Sequence, residues 1–221
     1  MHALTRSAAE LILDDCEEVL ASRSGEYLLG LSGGRTPPLM FQALAGLPIP
    51  WSRVHIFQVD ERVAPPGSED RNFTQLTNCL VERVEIPREH VHPMPVECED
   101  LASACRRYED ELRCVTSGAT LDLLQLGLGD DGHTASLAPG DPILDVTDRD
   151  VWYVENYRGL SRMSMTLPLI NRAKRILWLV SGAAKAEMTR RLLDSDHTIP
   201  GGRITHENTV LLVGADAGAD P

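Results

Sequence analysis

The fold class follows from two observations: short apolar runs bounded by turn residues, and helical patterns that alternate with them. The runs are typical of buried strands and cover residues 27–31, 54–59, 121–128, 151–154, 176–180 and 209–213. Apolar residues at helical spacing predict helices near residues 4–20, 37–46, 72–83, 99–114 and 183–193. This alternation predicts an α/β fold in which helices flank a mostly parallel central sheet.

Local signals support individual elements in chain order. The first helix has an apolar stripe with acidic residues on its other face, as expected for a surface helix. Thr36 followed by Pro37 is typical of a helix N-cap and first helical position. Asp70 or Asn72 is a candidate cap for the third helix. Residues 163–167 are strand-like and precede a short helix.

Composition limits the possible partners. We expect a single domain over residues 1–221, because this length suits one domain and no low-complexity linker divides the chain. The 43% hydrophobic and 24% charged residues are ordinary values for a globular protein. The formal net charge of −12 argues against nucleic acid or an anionic membrane surface, since both require excess Lys and Arg on the binding face. The same charge opposes an anionic substrate. A phosphate ligand would therefore need a few local cations and backbone amides near glycine turns.

Cysteine usage and the N-terminal segment bear on the compartment. The five cysteines are odd in number and include no CxxC pair, which indicates neither a disulfide framework nor a zinc site. Acidic residues fill the segment where a secretory signal needs an apolar run, and no stretch approaches the roughly 18 apolar residues of a membrane span. We therefore expect a cytoplasmic protein. The sequence leaves the oligomeric state open and is compatible with a monomer.

Two glycine-containing turns are candidate anion sites: the segment at 32–38 and the segment at 181–185. The segment SGGRTPP at 32–38 places two glycines before a predicted helix, whose N-terminal amides can bind an anion. A plain strand-to-helix connection fits this pattern equally well. Lys185 lies in the first turn of a predicted helix, where a cation opposes the helix dipole and an anionic ligand would reverse the penalty. An ordinary surface lysine is the alternative, and Arg162 is a further candidate cation.

One histidine stands out for chemistry. The segment at 127–137 is a glycine-rich turn after a buried strand, and it presents His133. An unperturbed imidazole titrates with a pKa of about 6.5 and suits general acid–base catalysis, although a lone histidine is often structural. Asp130 and Asp131 are candidates to orient the ring. We expect no metal, because no further ligands occur at a familiar spacing. The charged residues 60–62 after another strand are, taken one by one, more typical of a solvated rim than of a functional site.

Six motifs carry a family resemblance. They are SGGRTPP at 32–38, VDERV at 59–63, RNF at 71–73, GLGDDGHTASLAPG at 127–140, SMTLPLINRA at 164–173 and SGAAKAE at 181–187. In this order they closely resemble the 6-phosphogluconolactonase family, part of a wider group that includes glucosamine-6-phosphate deaminases. The resemblance implies a modified Rossmann-like α/β fold, no cofactor, and a small-molecule sugar phosphate as substrate.

The resemblance also assigns residues. It implies that His133 is catalytic, with Asp60 and Asp131 close by, and the sequence leaves open which aspartate is its partner. The expected substrate-binding residues are Gly33, Gly34, Arg35, Thr36, Arg62, Asn72, Arg162, Lys185 and Arg203.

The implied reaction is hydrolysis of 6-phospho-D-glucono-1,5-lactone to 6-phosphogluconate in the oxidative pentose phosphate pathway, with His133 as general base on water. Two alternatives remain: a glucosamine-6-phosphate deaminase or isomerase, and a non-catalytic sugar-phosphate-binding protein. The deaminase motif continues into a glutamate, whereas this chain has Ala138, which favours the lactonase. Lactonases usually carry an aromatic residue at this position, so Ala138 also predicts a slightly more open pocket.

Overall fold

The computed structural model describes residues 1–116, 118–205 and 207–218. The strands of its main sheet are β1 (Tyr27–Leu31), β2 (Val54–Gln58), β4 (Val91–His92), β5 (Leu123–Leu126), β8 (Arg175–Val180) and β9 (Thr209–Val213). Their order is β4-β2-β1-β5-β8-β9, and each neighbouring pair is parallel. The predicted α/β fold with a mostly parallel central sheet is therefore confirmed.

Helices cover both faces of this sheet. They are α1 (His2–Ser22), α2 (Pro37–Ala45), α3 (Asn72–Cys79), α4 (Leu101–Val115), α5 (Leu167–Asn171) and α6 (Ala186–Leu193). Successive strand side chains point to opposite faces. Leu29 and Leu123 accordingly pack in one core with α1 and α2, whereas Leu28 and Leu124 pack in a second core with α4. No helix in the described part of the chain is long and apolar enough to span a membrane.

A second, smaller sheet was not predicted. Strands β3 (Asp60–Arg62), β7 (Leu160–Met165) and β6 (Val151–Tyr157) pair in antiparallel fashion, with β7 in the centre. Strand β3 consists entirely of charged residues, which explains why its pattern resembled a solvated rim. Strands β6 and β7 form a hairpin with Arg158 and Gly159 at its tip, where φ is +54° and +87°. Two consecutive positive φ angles are typical of a type I′ turn.

Helix starts and ends differ in detail from the predictions. The third helix ends at Cys79, and a 3₁₀ turn at Val81–Arg83 follows it. Neither predicted cap is used, because the Glu61 carboxylate accepts hydrogen bonds from the backbone amides of Asn72 and Phe73 at 2.8 Å each. This fully buried side chain comes from the second sheet. A cap distant in sequence has therefore replaced a local one.

The strand order reverses between β1 and β5. From β1 the chain builds outward through β2 to β4, and from β5 it builds the other way through β8 to β9. In open α/β sheets, ligands bind at this reversal, beyond the carboxyl ends of the strands. The glycine turns at 32–36 and 127–133 follow β1 and β5 directly, so these two turns lie at the reversal.

Candidate active site

A cavity of about 510 Å³ lies at the carboxyl edge of the main sheet. Its walls come from the turns after β1, β5 and β8, and from the second sheet. Of the twelve predicted site residues, ten line it: Gly33, Gly34, Arg35, Thr36, Asp60, Arg62, Asn72, His133, Arg162 and Lys185. The other two do not line it: Asp131 is hydrogen-bonded to His133 Nδ1, and Arg203 lies outside the cavity.

The His133 imidazole is hydrogen-bonded through only one of its two ring nitrogens, Nδ1, to the described residues. Its Nδ1 lies 2.5 Å from Asp131 Oδ1 and 2.9 Å from the Tyr157 hydroxyl. The backbone amide of His133 also donates to Asp131 Oδ1, at 3.1 Å. An ionised carboxylate can only accept, so Nδ1 carries the proton in the neutral ring and Nε2 keeps its lone pair. Nε2 makes no hydrogen bond to a described residue, and the ring lines the cavity.

Asp131 remains ionised in this arrangement. Burial acts to raise the pKa of Asp131, but hydrogen bonds from Tyr157 and His133 outweigh it and leave the pKa well below its usual range. Tyr157 donates to Asp131 Oδ2 at 2.6 Å. Burial and this hydrogen bond in turn raise the pKa of Tyr157. The carboxylate thus has a fixed charge and position against the imidazole.

Sequence reasoning missed two residues of the site, Tyr157 and Arg158. Both line the cavity from the tip of the β6–β7 hairpin. Arg158 Nη2 lies 2.6 Å from Asp130 Oδ1 and 3.4 Å from Asp131 Oδ2, so it joins the hairpin to the histidine turn. A two-residue hairpin with Arg rather than Asn at its first position gives only a weak sequence signal.

Asp60 is the aspartate that does not reach the histidine. Its two carboxylate oxygens accept hydrogen bonds from the hydroxyls of Ser32, at 3.1 Å, and Ser136, at 2.8 Å. The residue is 4% exposed. Asp60 thereby ties the turn after β1 to the histidine turn, and its expected catalytic role stays a prediction.

Two glycines permit close approach in the cavity wall. A Cβ on Gly129 would lie 2.0 Å from His133 Nδ1, and one on Gly33 would lie 2.0 Å from Asn72 Oδ1. Side chains at either position would displace a predicted site residue. Asn72 Oδ1 is buried without a hydrogen bond to a described residue, whereas its Nδ2 donates to the Asp60 carbonyl at 2.9 Å. Asn72 Oδ1, the unpaired acceptor, lies next to Gly33 in the turn after β1.

The turn after β1 has the features of an anion site. Thr36 is the N-cap of α2 by position, and Pro37 follows it as predicted. The Thr36 hydroxyl does not cap the helix, however, but lies 2.7 Å from Ser181 Oγ in the turn after β8. The backbone amides of residues 33–36 donate to no described residue. Such unused amides at a helix N-terminus suit an anion.

Four cations line the cavity without a salt bridge to a described carboxylate: Arg35, Arg62, Arg162 and Lys185. Arg62 and Arg162 lie directly opposite each other on β3 and β7. Burial, and then the charge of Arg62, lower the pKa of Arg162. Burial, and then the charge of Arg35, lower the pKa of Lys185. Like charges placed together are unfavourable by themselves, so an anionic ligand would relieve both pairs.

Two residues that were expected to shape the cavity, Arg203 and Ala138, are not among the residues that line it. Arg203 does not line it, because Arg203 Nε donates to the His197 carbonyl at 3.2 Å and the side chain extends toward Asp145 instead. Ala138 is 5% exposed and does not line the cavity, and its expected effect on the width of the pocket stays a prediction.

Three side chains of the histidine turn could supply ligand atoms to a metal ion, but both carboxylates among them already have partners. Asp130, Asp131 and His133 offer ligand atoms within 4.8 Å of one another. Arg158 is paired with Asp130, and both Asp131 oxygens accept hydrogen bonds from Tyr157 and His133. The absence of a catalytic metal stays a prediction.

Comparison with known proteins places the chain in a family. Residues 1–213 match the family described as glucosamine-6-phosphate isomerases/6-phosphogluconolactonase. The chain therefore belongs to this family. A 6-phosphogluconolactonase of Synechocystis sp. is 42% identical over 166 residues, covering 73% of this chain and 69% of the relative.

Solved structures agree with the fold. The crystal structure of 6-phosphogluconolactonase from Thermotoga maritima superposes with a TM-score of 0.87 at 30% identity, covering 95% of this chain and 94% of that one. A monomeric glucosamine-6-phosphate deaminase superposes with a TM-score of 0.85 at 21% identity, covering 98% and 95%. Because lactonase and deaminase share the fold, only the site can separate the two activities.

Proposed function

We propose that this protein hydrolyses 6-phospho-D-glucono-1,5-lactone to 6-phosphogluconate, with His133 as general base. The observation that carries the proposal is the Asp131–His133 pair, which leaves Nε2 of the ring free at the wall of a cation-lined cavity. The similarity to proteins named 6-phosphogluconolactonase supports the choice of substrate.

In the proposed reaction, His133 Nε2 takes a proton from a water molecule as that water attacks the lactone carbonyl carbon. Asp131 stabilises the imidazolium that forms and holds the ring in one tautomer, as the carboxylate does in serine hydrolases. The tetrahedral intermediate then collapses and breaks the bond between the carbonyl carbon and the ring oxygen. The imidazolium returns its proton to this leaving oxygen, which becomes a hydroxyl group.

The remaining lining groups bind the substrate. We propose that the phosphate occupies the region between Arg35 and Lys185, beside the unused amides of residues 33–36. Arg62 and Arg162 lie on the second sheet and are suited to the developing oxyanion or to sugar oxygens. Holding the phosphate at one end orients the ester at the other, so binding energy is converted into rate.

The deaminase alternative requires a carboxylate that is free to move protons during ring opening. Among the described residues, the carboxylates that line the cavity are those of Asp60 and Asp130. Asp60 is occupied by two serine hydroxyls, and Asp130 by Arg158. Hydrolysis needs only a base, a water and oxyanion donors. The state of these carboxylates therefore favours the lactonase.

Two assays test the proposal. The first measures 6-phosphogluconate formation from freshly prepared lactone, above the spontaneous rate, for the wild type and His133→Gln. We expect the substitution to lower kcat by about 100- to 10,000-fold, since it removes the base. The second measures ammonia release from glucosamine 6-phosphate, which we expect to be undetectable. Full activity in His133→Gln would refute the assigned base, and ammonia release would refute the substrate.

A further inference from the structure

A second group of titratable side chains lies at the opposite, amino-terminal edge of the main sheet. Glu26 immediately precedes β1, His55 is the second residue of β2, and His90 immediately precedes β4. These three strands are adjacent in the sheet. Residues far apart in sequence therefore meet at one point, away from the cavity and unused by the proposed reaction.

The three side chains converge on one carboxylate. His55 Nε2 lies 3.0 Å from Glu26 Oε2, and His90 Nε2 lies 3.7 Å from Glu26 Oε1. The two imidazoles stack with their centroids 3.9 Å apart. One ligand atom from each of the three residues lies within 4.8 Å of the others. Both rings thus present the same nitrogen to the same acidic group.

A chain of hydrogen bonds fixes the tautomer of His55. Glu111 Oε1 lies 2.6 Å from His92 Nδ1, and His92 Nε2 lies 2.8 Å from His55 Nδ1. The carboxylate of Glu111 can only accept, so a neutral His92 donates from Nδ1 and accepts from His55 Nδ1 at its Nε2. In this state His55 carries its proton on Nδ1. Its Nε2 then has a lone pair and lies 3.0 Å from Glu26 Oε2.

A lone pair against a carboxylate oxygen is unfavourable unless a positive charge lies between them. His55 is 6% exposed, and its Nε2 is buried without a hydrogen bond to any residue within 1–116, 118–205 or 207–218. A bound cation resolves the conflict, because it accepts both the lone pair and the carboxylate.

We propose that Glu26, His55 and His90 form a Zn²⁺ site. Two imidazole nitrogens and a carboxylate are a common donor set for zinc, with bonds of about 2.0–2.1 Å. Ligand atoms around a tetrahedral ion with such bonds lie roughly 3.3 Å apart. The observed separations of 3.0 and 3.7 Å lie on either side of this value. The fourth position is left to water, since the Glu26 side chain is 47% exposed.

The hydrogen bonds around His55 have the arrangement that zinc-ligating histidines usually show, whereas His90 Nδ1 is buried without a hydrogen bond to a described residue. A ligating histidine usually donates its other ring N–H to an acceptor, which fixes the ring orientation. Here His92 accepts from His55, and Glu111 holds His92. The site would join the beginnings of three strands, and it would stabilise the fold because zinc binds the folded chain and not the separated strands.

Zinc titration of the EDTA-treated full-length protein tests this assignment. Competition with a chromogenic chelator gives stoichiometry and affinity, and Co²⁺ as a substitute reports tetrahedral coordination through its visible absorption bands. We expect one ion per chain and a higher Tm with zinc. Glu111→Gln should weaken binding by about 10- to 100-fold through loss of ring orientation. Glu26→Gln and His90→Ala should weaken it further, because each removes a ligand from a partly exposed position.

Two control variants locate the ion. His197→Ala removes an exposed histidine and should leave affinity unchanged. His133→Ala removes a donor of the group at the cavity, and it should also leave the stoichiometry at one. The assignment is overturned if the wild type binds no zinc, or if binding survives Glu26→Gln and His90→Ala but disappears in His133→Ala.

Discussion

The two edges of the main sheet differ in whether charged side chains form salt bridges within the protein. At the amino edge, the buried carboxylate of Asp122 accepts from Arg23 at 2.6 Å, from Lys174 at 2.9 Å and from the Leu28 amide at 2.9 Å. At the carboxyl edge, four cations line the cavity and form no salt bridge with a described carboxylate. Asp122 is thus neutralised by residues of the fold, whereas these four cations remain available to a ligand.

The comparison also explains how an acidic protein binds an anion. The whole chain carries a formal charge of −12, which repels a phosphate at long range. Inside the cavity, however, Arg35, Arg62, Arg162, Lys185 and unused amides lie close to any ligand, and the lining carboxylates of Asp60 and Asp130 are hydrogen-bonded to Ser32, Ser136 and Arg158. Local interactions in a partly buried site are screened less than long-range ones. The position of a few cations therefore outweighs the net charge.

The largest expected effect concerns the histidine pair at the carboxyl edge. In Asp131→Asn the amide can donate to His133 Nδ1, which places the ring proton on Nε2 and removes the base. We expect kcat to fall by about 100- to 10,000-fold with little change in KM. Steady-state lactone hydrolysis measures this effect. The matched control is Asp130→Asn, which lies next to it but contacts Arg158 and not the ring; equal activity in both variants would contradict the role of Asp131.

The second effect concerns stability at the amino edge. Asp122→Ala leaves the buried Leu28 amide without an acceptor, whereas Arg23 and Lys174 can turn to water. We expect the free energy of unfolding to fall by about 2–3 kcal/mol. Urea denaturation measures it, and kcat of the remaining folded enzyme should be unchanged. Asp194→Ala breaks an exposed pair with Arg190 and serves as the control, with no measurable loss expected.

The third effect concerns the proposed phosphate site. Lys185→Met keeps most of the apolar stem and removes the charge near Arg35. Loss of one charge-assisted contact should raise KM for the lactone by about 10- to 100-fold and change kcat less. Inorganic phosphate should also become a weaker competitive inhibitor. An unchanged KM would remove Lys185 from the phosphate site.

The smallest effect is expected for the cation that lies outside the cavity. Arg203→Met should leave both KM and kcat at the wild-type values, because the Arg203 side chain contacts the His197 carbonyl and the Asp145 region. The same kinetic assay measures this. A rise in KM comparable with that of Lys185→Met would show that Arg203 reaches the substrate.

Much of this protein is determined locally by its sequence. Apolar runs and helical periodicity predicted the strands of the parallel sheet apart from the two-residue β4, because burial of both faces requires nearly continuous apolar strands. The glycine turn at 127–133 was predicted as functional and that at 32–36 was a candidate anion site, since both follow such strands. His133 was identified from the same local pattern, and Gly129 explains it physically, because a larger residue would collide with the ring.

Tertiary structure decided which groups meet. Asp60 and Asp131 were equal candidates in sequence, and only the packing of the second sheet gave Asp60 to two serines and left Asp131 on the imidazole. Tyr157 reaches this pair from the tip of a hairpin, beyond the strand segments at 151–154 and 163–167 that the sequence predicted. Glu61 became a buried helix cap for the same reason. Residue types and periodicity are local properties, whereas hydrogen-bond partners depend on contacts between segments that are distant in the chain.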